Sequence, residues 1–204
     1  ENYEEVNDPL AHENALKARE IIERMVAKDP ANLRARQQLA KSYSRLGVTF
    51  ANLGRQAESV GYLEKAVAGL QTITQNESKN RRFTHDLALA LMRLGDARRR
   101  ERDFKGALVA FGQSISMFSS LAAGDAADNT SLRDLANARG GLAQAHEEMA
   151  AQSTEAAAPL HRRLARENYE EAIKTLRQLE ARGALSKFDR KSLEKMETIA
   201  AAQK

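Results

Sequence analysis

The chain has no cysteine, no tryptophan and only three prolines in 204 residues, and aromatic residues make up just 5% of it. Without cysteine there is no disulfide framework and no thiolate chemistry, which suits a reducing cytoplasm while leaving an export compartment open. So few aromatic residues disfavour a sheet, whose strands are built from β-branched and aromatic side chains. Long apolar runs are also missing: nothing approaches the roughly 18 consecutive residues that span a bilayer, and the N-terminus has no charged-then-apolar signal pattern. A soluble chain with no membrane association is the expectation. The start at Glu1 rather than Met fits a processed protein or an excised piece of a longer polypeptide, the second being the expectation. Charge of one sign is scarce too, since 32 Lys and Arg face 28 Asp and Glu for a net charge of +4.

What is present is 42% hydrophobic and 29% charged residues, dominated by the helix formers Ala, Leu, Arg and Glu. The chain reads as all-α. Its organising feature is a repeat. Leu46-Gly47 returns as Leu94-Gly95, and Leu39, Leu87 and Leu135, then Ala40, Ala88 and Ala136, then Leu46, Leu94 and Leu142, recur every 48 residues without a gap. A period of that length marks stacked helical repeats.

In chain order, residues 1–7 form a lead-in without period. Asp8-Pro9 reads as a cap followed by proline, where the missing N–H costs nothing. A half-repeat helix over 8–28 follows, and Asp29-Pro30 repeats the signal. Repeat 1 covers 29–76, with Leu33, Leu39, Ala40, Tyr43, Leu46 and Phe50 on one helix, a stop at Gly54, and Val60, Leu63, Ala66, Val67 and Leu70 on the next. Repeat 2 covers 77–124. Repeat 3, 125–183, carries an insertion near 152–158 read as an enlarged loop. Pro159 restarts a helix through Leu160, Leu164, Tyr169, Ala172, Ile173, Leu176 and Leu179. A capping helix over 184–204 opens on Ser186 and Asp189, spaced as a capping box, with Phe188, Leu193, Met196 and Ile199 along one side.

The spacing inside each copy resembles the tetratricopeptide repeat. Tyr43, Leu46, Gly47, Phe50, Gly54, Ser59, Leu63 and Ala66 match its signature; Leu91, Leu94, Gly95, Ala107, Phe111 and Ser114 match it in the second copy, where Arg98 replaces an aromatic. The third copy matches loosely, through Tyr169, Ala172 and Leu176. The resemblance implies a right-handed α-solenoid of stacked antiparallel hairpins with about eight helices. The period of about 48 exceeds the commonest 34, so each helix reaches about 33 Å at 1.5 Å per residue. Such longer repeats resemble those of bacterial multidomain signalling proteins, often beside kinase or caspase-like domains.

Few residues stand in patterns that carry chemistry. His12, His85, His146 and His161 stand on different helices and read as surface residues, and no phosphate loop is present. Asp125 and Asp128 sit in a turn that recurs without acids, which disfavours a calcium site. Arg139-Gly140-Gly141 inside a helical pattern marks a close helix contact. Arg98, Arg99, Arg100 and Arg102, with Arg81 and Arg82, form the one basic concentration. Either it is a solvated helix end supported by the macrodipole, or it contacts an anion or nucleic acid. Stacking aromatics are missing around it, which argues against nucleic acid. No cofactor is called for and no catalytic constellation can be placed. By the resemblance, a protein or peptide segment binds along the wall made by the first helices of successive hairpins, with self-association as an alternative. The residues standing between packing positions are then the candidates: Lys41, Ser44, Arg45, Val48 and Asn52, then Met92, Arg93, Asp96 and Arg99, then Asn137, Gln144 and Glu148.

Overall fold

The structure is a computed structural model that describes residues 9–125 and 127–202, the side chains of 9–12, 14, 15 and 202 excepted. The expected lead-in 1–7, the Asp8 cap and the last two residues lie outside the described residues. Eight helices and no strand are found among the described residues: α1 Pro9–Lys28, α2 Leu33–Asn52, α3 Gln56–Asn76, α4 Arg81–Arg100, α5 Phe104–Gly124, α6 Asn129–Gln152, α7 Ala158–Ala181 and α8 Lys187–Ala202. The expected class, all-α with eight helices, stands. The chain divides into two compact units, with the boundary between Arg102 and Asp103.

The period is visible in the helix starts. α2, α4 and α6 begin at 33, 81 and 129, and α3 and α5 at 56 and 104. Each first helix is launched by a side chain from the same register. The Asn32 carboxamide accepts from the Ala35 N–H at 2.9 Å, Asn80 accepts from Arg82 at 3.1 Å, and Asp128 accepts from Ser131 at 2.9 Å. Such a bond satisfies one of the four N–H groups a helix leaves open at its start. This corrects the reading of Asp29-Pro30 as a helix start. Asp29 instead accepts from Ala31 at 3.2 Å to form a turn, and the helix waits for Asn32. The turns that follow α2 and α4 also match: Gly54 has φ 74° and Arg102, 48 residues on, has φ 65°. Arg102 is in a left-handed conformation that glycine adopts without strain.

In the first unit α2 and α3 are antiparallel, since Gly47 faces Leu63 and Ser59 whereas Ala40 faces Gly69. Leu46, Leu63, Ala66, Leu70, Ile73, Leu87, Leu91 and Leu94 are buried, each large one contributing roughly 1.5–3 kcal/mol. Tyr43 donates its phenol to Glu23 on α1 at 2.8 Å. Burial and that carboxylate push its pKa up to about 12.

In the second unit Phe111, Phe118, Tyr169, Leu176, Leu179, Leu193 and Met196 are buried. The two glycines of α6 face opposite neighbours. A Cβ on Gly140 would fall 2.5 Å from the Met196 methyl on α8, and one on Gly141 2.6 Å from the Phe111 ring on α5. That is the close contact expected of the pair. Contrary to the expectation that nothing approaches a membrane span, α5 is long and apolar enough, by length and composition alone, to cross one. Its stripe of Ala107, Ala110, Phe111, Ser114, Phe118 and Leu121 is buried.

Three expectations change in this unit. The enlarged loop falls at 153–157, inside the expected 152–158 and longer than 53–55 and 101–103, but most of the added length is helix: α6 and α7 each have 24 residues, against 20 in α2 and α4 and 21 in α3 and α5. Leu160 is exposed. The buried stripe of α7 through Ala165 and Tyr169 extends back by four to His161 rather than to Leu160. Phe188 is exposed for the same reason. The stripe of α8 through Leu193, Met196 and Ala200 reaches back to Asp189, which is 1% exposed. Asp189 accepts from Ser186 N–H at 3.0 Å and its own N–H donates to the Ser186 hydroxyl at 3.1 Å, the reciprocal capping box. It also accepts from Arg133 at 2.7 Å.

A candidate binding cleft between α2 and α4

α2 and α4 run parallel in the first unit, because side chains about one period apart touch. Gln37 donates to Asp86 at 2.5 Å, Lys41 donates to the same carboxylate at 3.3 Å, and Arg93 donates to the Ser44 hydroxyl at 2.9 Å. Between these contacts lies a cavity of about 230 Å³ lined by Lys41, Ser44, Arg45, Leu70, Asp86, Leu89 and Arg93. Its floor is apolar, through Leu70 and Leu89. Three cations face one carboxylate, and Arg45 is exposed with no side-chain hydrogen bond or ion pair among the described residues. Such a surface attracts negative charge while offering an apolar seat.

Four of the sequence candidates, Lys41, Ser44, Arg45 and Arg93, therefore share one cleft. Ser44 departs from its expected outward orientation: it is 4% exposed, because α4 lies alongside and Arg93 covers the hydroxyl. Val48 and Met92 are half-buried and Asn52 is exposed at the end of α2. Asp96 is engaged within its own helix, accepting from Arg99 at 2.7 Å and from Arg100 at 2.9 Å. Asn137, Gln144 and Glu148 are half-buried on α6, in the second unit, and line up on one face by their spacing. Sequence reasoning passed over Asp86, which joins α2 to α4. The period carried a signal for it, since Asp134 stands 48 residues further on.

Arg98, Arg99 and Arg100 of the basic concentration are paired. Arg98 donates to Glu64 on α3 at 2.8 Å, and Arg99 and Arg100 share Asp96.

The histidines need a further correction. His146 is buried rather than on the surface, and its Nδ1 lies 3.2 Å from Nδ1 of His161. Burial, and then the facing His161, push the His146 pKa down. His85 is half-buried, and the side chain of His12 lies outside the described residues. Among the described residues no group of three or more His, Asp or Glu is placed to hold a metal ion.

No protein-family model matches the chain, and no curated protein matches it. Among solved structures it is similar to the crystal structure of a de novo designed helical repeat protein, at 17% sequence identity and a TM-score of 0.42, with 95% of this chain and 92% of that chain covered.

Proposed function

We propose that the chain is a non-catalytic scaffold that binds a protein or peptide segment, with the cleft between α2 and α4 as its reading surface. The observation that carries this is the convergence of Lys41, Arg45 and Arg93 over Leu70 and Leu89. These groups can hydrogen-bond and neutralise an acidic side chain while an apolar neighbour rests on the floor. The finer reading, a docking or sensor region of a larger bacterial signalling protein such as a Ser/Thr kinase, rests on the resemblance of the long repeats. The test is selection of displayed random peptides on the immobilised chain, followed by fluorescence anisotropy. Acidic-apolar sequences are expected to enrich. Their affinity should fall about tenfold or more in the Lys41→Glu/Arg45→Glu variant, since a charged hydrogen bond contributes about 1.5–3 kcal/mol. Peptides that bind the folded variant equally well would remove the cleft from the function.

A second reading, a self-associating spacer, is favoured by α1. Ile21 and Met25 are exposed there, one turn apart. Met25 occupies the register of Ile73 and Leu121, which are buried in their helices. A concentration-dependent mass in sedimentation, abolished by Ile21→Lys/Met25→Lys, would support this reading. A monomer at all concentrations would end it.

A further inference from the structure

The extra length of the third copy borders an open cleft that the other copies have no sequence to build. Its volume is about 640 Å³, within the range of roughly 300–1,000 Å³ typical of small-molecule sites. Ala150 and Ala151, in the added last turn of α6, and Pro159, in the first turn of α7, supply an apolar side. Arg162, Arg163 and Arg166 supply the other, with Glu147 as the one carboxylate.

The three arginines are weakly engaged. Arg163 lies 3.6 Å from Glu167 and Arg166 lies 3.9 Å from Glu170, both exposed pairs within the helix with the cation on the N-terminal side. That order is the less favourable one along a helix, and such pairs contribute only tenths of a kcal/mol. Arg162 makes no ion pair or side-chain hydrogen bond among the described residues. Glu147 is already engaged by the buried Tyr169, whose phenol donates to it at 2.6 Å.

Counting donors against acceptors selects the ligand. One guanidinium fork satisfies both oxygens of a carboxylate, whereas three guanidinium groups match the three terminal oxygens and double charge of a phosphoryl group. We propose that this cleft binds a small organic phosphate, with the phosphoryl group on Arg162, Arg163 and Arg166 and the organic part against Ala150, Ala151 and Pro159. This inference is independent of the α2–α4 cleft.

The probe is phenyl phosphate, titrated by calorimetry beside inorganic phosphate and benzoate at matched ionic strength. Saturable binding of phenyl phosphate is expected, with benzoate about tenfold weaker or more, and inorganic phosphate weaker by the lost apolar contact. Arg162→Glu/Arg166→Glu should abolish binding, while Lys41→Glu/Arg45→Glu should leave it unchanged. As a measurement that needs no variant, amide shifts on adding phenyl phosphate to the unmodified chain should cluster over residues 147–166. Shifts centred elsewhere, benzoate binding as tightly as phenyl phosphate, or no saturation below about 10 mM would each overturn the proposal.

Discussion

Gly47 offers the sharpest test of how the hairpins are held. A Cβ at this position would lie 2.5 Å from Leu63 Cγ, 3.0 Å from Leu63 Cδ2 and 3.1 Å from the carbonyl oxygen of Ser59. Cγ is the branch point of a leucine that is 1% exposed, and Ser59 is fully buried. Neither neighbour can swing away. Gly61, on α3 of the same unit, has nothing within 4 Å of its added Cβ. Gly→Ala in a helix interior gains about 1 kcal/mol, and overpacking a closed core costs about 1–3 kcal/mol. Gly61→Ala should therefore stabilise by about 1 kcal/mol, whereas Gly47→Ala should lie between neutral and about 2 kcal/mol destabilising. The difference between the two, about 1–3 kcal/mol, isolates the contact because the propensity gain is common to both. Urea unfolding followed by far-UV circular dichroism, compared at equal slope, measures it. If both variants shift the midpoint in the same direction by the same amount, close approach of α2 and α3 is not why glycine stands at 47.

Stability should depend on pH through His146. The folded-state pKa of His146 is depressed, so between that value and the ordinary 6.5 the unfolded chain binds more protons and stability falls as pH decreases through this window. Denaturation midpoints measured from pH 7.5 downward should show the loss, and His146→Gln should flatten it. Asp189→Ala removes the acceptor of both Arg133 and the Ser186 N–H and should destabilise by about 2–3 kcal/mol, discounted because Arg133 is partly in water. For Asp189, burial raises the pKa, but the Ser186 and Arg133 hydrogen bonds outweigh it and hold it low. Its contribution is thus present above the ordinary aspartate range, and the gap to an Asp189→Asn variant should close only as pH falls through the depressed value. Arg102→Gly relieves the left-handed strain at φ 65° of about 1–2 kcal/mol, against about 0.5–1 kcal/mol of glycine entropy. Calorimetry should find it neutral to about 1.5 kcal/mol stabilising.

Much of the architecture was legible because it is local. The 48-residue register, the capping box at Ser186 and Asp189, and the close contacts at Gly47, Gly140 and Gly141 all follow from residue types at short spacing. The candidate cleft was half legible. Lys41, Arg45 and Arg93 stand where the register places surface residues, but Asp86, which joins them across helices, carries no local mark of that role. Likewise Asp29-Pro30 reads as a helix start by residue type, and only the backbone shows that Asn32, accepting from the Ala35 N–H, starts the helix instead.

The sequence by itself determined the helices, their repeat and most of their buried stripes, since an apolar stripe is written within four residues of each position. Tertiary structure alone decided that Ser44 is covered by Arg93, that His146 meets His161, that Arg98 pairs with Glu64 on another helix, and that the insertion becomes longer helices beside an arginine-lined cleft. These depend on how far one helix slides along another and how closely it approaches. Such distances are set by side chains fifteen to fifty residues apart, which a pattern with a period of 3.6 cannot encode.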